Sequence, residues 1–329
     1  MAQKIRIGLN GFGRIGRSIL RILAQDAGPF EVAFINDIES LDTCAYLFKY
    51  DSVFGPFPGE VSAGDQALLI NGQSIPFYDR SDISAMDLSD VDVVLECTGM
   101  AGKRAVAERG LAAGARNVLI SGPSSEVDVT VVLGANEDQL SGHRIVSNAS
   151  CTTNALAPLL KLLDDKFGVI GGHMTTVHCY TGSQPTVDKP RENAARSRAA
   201  ALSMVPTTTS AHKLVGDVLP ELQGKIEARA IRVPTASVSC IDLTVRLSTE
   251  VSEAQARAFL KQGATGHVLG WTEEPLVSSD LRMRPESLVI SGPETSVSEG
   301  GLLRVFGWYD NEWGFSHRML DVARLMAQN

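Results

Sequence analysis

A glycine-rich turn between a strand and a helix most constrains the fold of this 329-residue chain. Residues 11–16 read Gly-Phe-Gly-Arg-Ile-Gly and directly follow the β-rich residues 4–9. Apolar residues from Ile15 to Leu23 then recur at helical spacing. A strand, a Gly-x-Gly-x-x-Gly turn and a helix form the start of a parallel βαβ unit. The glycines in such a turn let a pyrophosphate approach the helix N-terminus.

A second strand and an acidic residue complete this pattern. Residues 31–35 are apolar and lead to Asp37, which lies 21 residues after Gly16. Asp37 can accept hydrogen bonds from both ribose hydroxyls of an adenosine. The glycine pattern alone is a weak signal, and a plain strand-turn-helix unit with a capping aspartate is the alternative. The complete βαβ context favours a dinucleotide site.

The following residues are typical of the rest of a nucleotide-binding domain. Asn71-Gly72 predicts a hairpin turn between residues 67–70 and 74–77. Further strands are predicted at 91–95, 117–120 and 129–133, with a helix at 101–113. Ligands bind at the carboxyl ends of such strands, so a crevice there is expected to hold Gly11, Asp37, Thr98 and Ser121. Helix capping and turn formation are the alternative for Thr98 and Ser121.

A cysteine lies at a second strand-to-helix junction. Residues 147–154 read Ser-Asn-Ala-Ser-Cys-Thr-Thr-Asn, between a short apolar strand and a predicted helix at 152–167. Lowering a thiol pKa from about 8.5 to about 6.5 requires about 2.7 kcal/mol. A helix N-terminus supplies at most about 2 kcal/mol. Cys151 therefore needs a partner, and His178 on the predicted strand 174–180 is the candidate. An inert cysteine and a packed histidine are the alternative.

The second half of the chain has longer strands and fewer helices. Residues 181–201 lack periodicity and contain three arginines, which predicts a long functional loop. Predicted helices and strands follow it, at 210–217, 229–233, 237–249, 252–262 and 305–309, with a closing helix that carries Met319 and Met326 on one face. Long strands with few helices between them indicate a mixed, largely antiparallel sheet.

Two domains are therefore predicted. The fold class is α/β: a Rossmann-type, doubly wound parallel sheet, plus an α+β catalytic domain with the mixed, largely antiparallel sheet. The first domain is predicted at residues 1–150, where it binds a dinucleotide, and is completed by the C-terminal helix 312–329. The catalytic domain is predicted at 151–311.

Composition restricts the partners and the location. The chain is 44% hydrophobic and 21% charged, with a net charge of −8, which argues against nucleic acid as a partner. No apolar run approaches the roughly 20 residues of a membrane span. The N-terminus runs straight into a strand, which leaves no room for a signal peptide. The five cysteines are odd in number and widely spaced. We predict neither disulfides nor a metal site, and a reducing, cytoplasmic location.

An activated thiol and a nicotinamide dinucleotide together indicate aldehyde oxidation. The thiolate adds to the carbonyl carbon, and a hydride then leaves for the nicotinamide, which gives a thioester. Phosphate or water must release the acyl group. Surface arginines are most often simply solvated, yet the chain offers candidate anion ligands in Thr181, Arg198, Thr209 and Arg232.

Five stretches resemble the glyceraldehyde-3-phosphate dehydrogenase family along essentially the whole chain. They are Asn10–Gly16, Ser147–Asn154, Thr175–Thr181, Arg232–Thr235 and Trp308–Glu312. The cysteine stretch is highly specific for this family and its close relative, erythrose-4-phosphate dehydrogenase.

The resemblance implies a role for each matching residue. Cys151 is implied as the nucleophile and His178 as its thiolate partner and general acid/base. The implied NAD ligands are Gly11, Arg14, Ile15, Asp37, Arg80, Thr98, Ser121 and Asn311, of which Asn311 would hold the carboxamide. Thr181 and Arg232 are implied for the substrate phosphate, and the inorganic phosphate site would be lined by Ser150, Thr152 and Thr209, with Arg198 serving phosphate binding. A homotetramer is also implied, in which residues 181–201 reach the neighbouring subunit's cofactor site.

Several positions depart from the family pattern. Ala155 stands where many members have a second cysteine, and Cys179 where alanine is common. Ser210 replaces a glycine beside the phosphate site, and Lys189 could shift the preference from NAD towards NADP. The stretch 278–298 also diverges.

The leading hypothesis is a phosphorylating dehydrogenase that oxidises glyceraldehyde 3-phosphate, with NAD and inorganic phosphate, to 1,3-bisphosphoglycerate. A paralogue that uses erythrose 4-phosphate or another phosphorylated aldehyde, with hydrolytic release, is one alternative. A Cys-His acyl hydrolase or transferase without a redox step is another, but it leaves the glycine motif and Asp37 unexplained.

Overall fold

The structure, a computed structural model, describes residues 4–328. The chain divides into two compact units. Within the described residues, the first unit comprises 4–131, 137–149 and 316–328, and the second comprises Val132–Asn136 and Ser150–Phe315.

A mainly parallel sheet forms the centre of the first unit. Among the described residues its nine strands are β1 (Ile5–Asn10), β2 (Phe30–Asn36), β3 (Val61–Ala63), β4 (Ala67–Ile70), β5 (Gln73–Tyr78), β6 (Val93–Glu96), β7 (Asn117–Ile120), β8 (Val129–Thr130) and β9 (Ile145–Ser147). Their order is β3-β4-β5-β2-β1-β6-β7-β9-β8. Only β3, β4 and β5 pair antiparallel, and the turn Asn71-Gly72 joins β4 to β5 as predicted.

Three helices connect the strands of this sheet. They are α1 (Arg14–Gln25), α2 (Leu41–Lys49) and α3 (Arg104–Ala112). Helix α1 buries Ile19, Leu20, Ile22 and Leu23, which are consecutive members of its apolar stripe. Because β1, β2, β6 and β7 are neighbouring parallel strands, their carboxyl ends lie along one edge.

The second unit contains a mixed sheet. Within the described part its strands are β10 (Val169–Cys179), β11 (Val205–Thr208), β12 (Ile226–Val233), β13 (Ser239–Leu247), β14 (Leu269–Thr272), β15 (Leu288–Ser291), β16 (Ser296–Val297) and β17 (Leu302–Tyr309). Strand β10 pairs in parallel with β12, and β14 with β15. The other pairings are antiparallel, as the length of the strands predicts.

The remaining helices are α4 (Cys151–Phe167), α5 (Ala211–Val218), α6 (Glu253–Gly263) and α7 (Trp313–Gln328). Helix α4 ends at Gly168, whose φ of 68° is the left-handed conformation of a glycine C-cap. Helix α6 begins with a capping box of Ser252 and Gln255. No helix among residues 4–328 is long and apolar enough to cross a bilayer.

The strand predicted at 129–133 is wrong beyond its first two residues. Strand β8 ends at Thr130. Val131 N–H still donates to Ser147 O, but Val132 N–H donates to Asn136 Oδ1 at 2.9 Å and Asn136 N–H returns to Val132 O. A turn closed by the Asn136 side chain thus replaces the backbone hydrogen bonds of a strand. Apolar composition alone does not reveal such a turn.

Candidate active site

Cys151 is the first residue of helix α4. Ser150 caps this helix, since its Oγ accepts from Thr153 N–H at 3.1 Å. Just before the cap, Ala149 has a φ of 56°, a conformation that a residue other than glycine rarely adopts. This turn and cap fix the thiol at the helix N-terminus, where the unpaired N–H groups favour negative charge.

His178 is brought to Cys151 by strand β10. Its Nε2 lies 3.6 Å from Cys151 Sγ, and its ring is 5% exposed. Nδ1 lies 2.7 Å from the carbonyl oxygen of Cys179. A proton on Nδ1 would donate to this carbonyl and leave the Nε2 lone pair facing the thiol, which is the tautomer that proton transfer from the thiol requires. The predicted Cys-His pair is therefore in contact.

Arg232 is the cross-strand neighbour of His178, because β10 and β12 pair in parallel with these two residues in register. Its Nη1 lies 2.8 Å from His178 Nδ1 and donates to Cys179 O at 3.0 Å. The guanidinium thus stands on the side of the imidazole away from the thiol.

The pKa values of Cys151 and His178 are not determined by the helix N-terminus alone. Burial raises the pKa of Cys151, while the Arg232 cation and hydrogen bonds from Thr152 oppose that rise. Burial, followed by the Arg232 cation, lowers the pKa of His178 to about 4. Desolvation is the largest effect on both groups, so it opposes charge on either member of the pair. The pair is nevertheless arranged for the proton to move from Sγ to Nε2 as the sulfur attacks.

A buried hydroxyl network holds the catalytic helix against the sheet. Tyr309 OH lies 2.9 Å from Thr152 Oγ1 and 2.8 Å from Thr176 Oγ1, which donates to Cys240 O. The Tyr309 ring also meets the His178 ring edge-on, with centroids 6.0 Å apart. The Thr152 hydroxyl therefore contacts Tyr309, and both this hydroxyl and the Thr152 N–H favour the Cys151 thiolate.

A basic cavity of about 620 Å³ lies beside Arg232. It is lined by Ser183, Gln184, Arg191, Glu192, Asn193, Arg196 and Arg232. Three guanidinium groups in one cavity are suited to a phosphate dianion. Arg196 was not among the residues predicted from the sequence. Its Nε donates to Thr207 Oγ1 at 2.7 Å, a long-range contact that no local pattern indicates.

The structure places the other predicted phosphate residues around this loop. Thr181 Oγ1 lies 2.9 Å from Ser183 Oγ, which lines the cavity. Arg198 does not line it, because its guanidinium pairs with Asp188 at 2.8 Å. Thr209 Oγ1 accepts from Ala211 N–H at 3.3 Å, at the start of helix α5. Ser210 is exposed and makes no capping hydrogen bond.

The glycine turn of the first unit is shaped for a ligand. Gly11 has a φ of 95°, and a Cβ there would lie 2.6 Å from the backbone of Cys97 and Thr98. A Cβ on Gly16 would lie 2.3 Å from Gly11 O, so chain packing requires both glycines. A Cβ on Gly13 would meet nothing within 4 Å. Gly13 caps α1 without a side-chain bond, which leaves the helix N–H groups open to an anion and fits a pyrophosphate.

Polar side chains link the strand ends at this edge. Asp37 Oδ2 accepts from Phe12 N–H at 2.6 Å, so the acid lies against the glycine turn. Asn36 Oδ1 accepts from Arg80 N–H at 2.9 Å, and Asn36 Nδ2 donates to Asn10 Oδ1 at 2.8 Å. These contacts bring Asp37 and Arg80 beside the turn.

Glu96 fixes the next strand end. It is 2% exposed and accepts from Asn10 Nδ2 and from the N–H and hydroxyl of Thr98. Ser121 N–H donates to Glu96 O at 3.0 Å. Gly11, Thr98 and Ser121 therefore follow three neighbouring parallel strands.

Three further predicted cofactor residues have defined places. Arg14 is the first residue of α1, pairs with Asp51 and lies over the Phe54 ring at 5.1 Å. Ile15 follows it. Asn311 belongs to the second unit, where its Oδ1 accepts from the Cys179 thiol at 3.0 Å.

Comparisons with known proteins cover both units. Residues 5–104 match the NAD binding domain of glyceraldehyde 3-phosphate dehydrogenase, and residues 150–311 match its C-terminal domain. Glyceraldehyde-3-phosphate dehydrogenase 1 of Bacillus cereus is 46% identical over 329 residues, 98% of each chain. The chain belongs to the glyceraldehyde-3-phosphate dehydrogenase family.

Other members of the glyceraldehyde-3-phosphate dehydrogenase family are similarly close. The enzyme of that name from Xanthobacter flavus is 46% identical over 334 residues, 99% of each chain. Glyceraldehyde-3-phosphate dehydrogenase 1 of Bacillus subtilis is 44% identical over 331 residues, 98% of each chain. These matches confirm the predicted family, the Rossmann-type domain with its catalytic partner, and NAD as the cofactor.

Proposed function

We propose that this protein oxidises glyceraldehyde 3-phosphate with NAD and inorganic phosphate to 1,3-bisphosphoglycerate. The observation that carries the proposal is the contact of Cys151 Sγ with His178 Nε2 at 3.6 Å, backed by Arg232 and its basic cavity. We further propose residues 1–150 with helix 312–329 as the NAD-binding domain and 151–311 as the catalytic domain.

The cofactor is proposed to bind at the strand ends of the first domain. Gly11 and the N-terminus of α1, with Arg14 and Ile15, would hold the pyrophosphate. Asp37 would take the adenosine ribose, and Arg80, Thr98 and Ser121 would line the same edge. Asn311 would hold the carboxamide. When bound, NAD supplies the hydride acceptor.

Cys151 and His178 would perform the covalent chemistry. The thiol proton moves to His178 Nε2 while Sγ bonds to the aldehyde carbon, and His178 passes that proton to the carbonyl oxygen, which gives a thiohemiacetal. His178 then takes the hydroxyl proton as the hydride leaves, and a thioester remains. A phosphate oxygen attacks the acyl carbon, the C–S bond breaks and the sulfur leaves as thiolate. His178 returns its proton to the sulfur and the phosphate releases its own proton to solvent, so the products are the acyl phosphate and the regenerated thiol.

Two anion sites are proposed around the thiol. Thr181 and Arg232 would hold the substrate phosphate, and the lining of the basic cavity adds Arg196 to them. Ser150, Thr152 and Thr209 would line the inorganic phosphate site. Arg198 would act through its ion pair with Asp188, which shapes the loop that carries the cavity.

We also propose a cytoplasmic homotetramer. The loop 181–204 exposes large apolar side chains, with Leu202 83% and Met204 74% exposed in the single chain. Such side chains clustered on one loop are typical of a protein interface. All five cysteines are unpaired thiols, which fits a reducing compartment.

The test of the activity is NADH formation from glyceraldehyde 3-phosphate, with and without phosphate or arsenate. We expect turnover that depends on phosphate and is slower with NADP or erythrose 4-phosphate. Faster turnover of erythrose 4-phosphate, or turnover independent of phosphate, would overturn the proposed substrate or acyl acceptor. Absence of reduced cofactor under every condition would overturn the dehydrogenase proposal.

A further inference from the structure

Cys179 is a buried cysteine that the chemistry above does not use. It is the last residue of β10 and is 0% exposed. Its backbone N–H donates to Ser239 Oγ at 3.1 Å, and its thiol donates to Asn311 Oδ1 at 3.0 Å. The thiol therefore donates to the residue proposed to hold the cofactor carboxamide, and the Ser239 side chain is its other polar neighbour.

The backbone of Asn311 is fixed by its neighbour. Asp310 Oδ1 accepts from Glu312 N–H at 3.0 Å and from Trp313 N–H at 2.9 Å, which caps the start of α7. Asp310 Oδ2 also accepts from Met283 N–H at 2.9 Å. With the backbone held, the main freedom left to Asn311 is rotation of its amide, which exchanges Oδ1 with Nδ2.

The Cys179 thiol favours one of the two orientations of the Asn311 amide. The S–H group is a donor and its sulfur is a weak acceptor, so Oδ1 is favoured on the side of Cys179 and Nδ2 on the other side. Burial raises the pKa of Cys179 to about 12, which keeps the thiol protonated at any working pH. The donor is thus permanent.

We propose that Cys179 is a positioning residue that orients the Asn311 amide, so that Nδ2 donates to the carboxamide oxygen of the nicotinamide. This inference rests on the proposed function, in which Asn311 binds the cofactor. Cys179 contacts the Cys151–His178 pair only through its backbone carbonyl oxygen, which lies 2.7 Å from His178 Nδ1. A side-chain substitution therefore separates cofactor binding from the Cys-His pair.

The test compares the full-length variants Cys179→Ala, Cys179→Ser, Asn311→Ala and the double variant Cys179→Ala/Asn311→Ala. The Kd for NAD is measured by titration, together with KM for NAD, KM for glyceraldehyde 3-phosphate and the alkylation rate of Cys151. We expect Cys179→Ala to raise Kd and KM for NAD about fivefold and to leave the substrate KM and the alkylation rate unchanged. Cys179→Ser keeps a donor and should restore the wild-type Kd.

A matched control is Cys240→Ala. Cys240 is also buried, at 6% exposure, and lies opposite Val177 of β10 and Trp308 of β17, so Cys240→Ala tests the loss of a buried thiol elsewhere in the same sheet. Its Kd for NAD should stay at the wild-type value. In the double variant, removal of the Cys179 thiol should add nothing to the effect of Asn311→Ala, because both act through one amide.

The outcomes separate this inference from the proposed function. If Asn311→Ala raises Kd for NAD and Cys179→Ala does not, the positioning role is overturned and the cofactor role of Asn311 stands. If Asn311→Ala leaves Kd unchanged, the proposed cofactor role of Asn311 fails. Equal increases of both KM values, no rescue by serine, or the same effect from Cys240→Ala would show a packing role and overturn the inference.

Discussion

Arg232 touches His178 on one side and lines the basic cavity on the other. A single guanidinium therefore faces both the catalytic base and the proposed phosphate site. Its charge favours the Cys151 thiolate, because it opposes the rise in pKa that burial causes, and it disfavours the His178 imidazolium, whose pKa it lowers further. The register of β10 with β12, rather than proximity in sequence, creates this contact.

Replacing Arg232 by Gln should raise the pKa of Cys151 and of His178, since the thiolate loses a cation and the imidazolium loses a repulsion. The pH dependence of Cys151 alkylation by iodoacetamide should shift to higher pH. KM for glyceraldehyde 3-phosphate should rise at least tenfold, because a charged hydrogen bond to the phosphate, worth about 1.5–3 kcal/mol, is lost. Arg229→Gln is the control, because Arg229 lies on the same strand and pairs with Glu227 at 2.8 Å. An unshifted alkylation profile in Arg232→Gln would contradict this coupling.

At the scale of elements, the junctions that carry function could be predicted because each has a local signal. Gly11–Gly16 and the Ser150 cap are such signals, and strand β7 at Asn117–Ile120 has the predicted limits. Helix α2 lies outside the predicted elements, although Ser40 caps it and Cys44, Ala45 and Phe48 form its buried face. Arg196 could not be predicted, because its place depends on the path of the whole loop.

The Ser150 cap should matter for both stability and activity. Ser150→Ala leaves Thr153 N–H without its acceptor and should destabilise the protein by about 1 kcal/mol. It should also slow alkylation of Cys151, because the frayed first turn no longer fixes the thiol. Ser252→Ala removes the equivalent cap of α6 and should cost a similar unfolding free energy without changing the alkylation rate. Equal alkylation rates in the two variants would contradict a role for this cap in positioning the thiol.

Glu96 links the ends of β1 and β6 and is expected to make stability pH-dependent. Burial raises its pKa above the usual 4.5, so the folded chain binds this proton more tightly than the unfolded chain. The free energy of unfolding should therefore fall as pH rises from about 4.5 through the folded-state pKa. Thermal unfolding between pH 4 and 7 should show this contribution in the wild type and in the exposed control Glu108→Gln, but not in Glu96→Gln. A Glu96→Gln variant with the wild-type pH profile would contradict the assignment.

At the scale of the whole molecule, the division into two units follows from a change in strand pattern along the chain. Short strands alternating with helices form the mainly parallel sheet, and long strands with few helices form the mixed one. The prediction that the C-terminal helix completes the first domain does not follow from its apolar spacing, which does not say which sheet a terminal helix covers. The proposed assembly likewise depends on surfaces that a sequence does not reveal.

The proposed homotetramer predicts a solution mass of four times the 35.2 kDa chain. Leu202→Asp places a charge among the exposed apolar side chains of the loop 181–204 and should dissociate the assembly. Leu202→Met keeps an apolar side chain and should remain a tetramer. Sedimentation velocity checks both variants. A monomeric wild type at micromolar concentration, or a Leu202→Asp protein that stays tetrameric, would contradict this role of the loop.

The central claim is that Cys151 carries the acyl group while NAD receives the hydride. It is tested most directly by stopped-flow absorbance of NADH after mixing the enzyme and NAD with glyceraldehyde 3-phosphate in the absence of phosphate. The proposed thioester predicts a rapid burst of about one NADH per chain, followed by slow turnover that phosphate or arsenate accelerates. Cys151→Ser should abolish the burst. A wild type without a burst, or a burst that persists in Cys151→Ser, would contradict the claim.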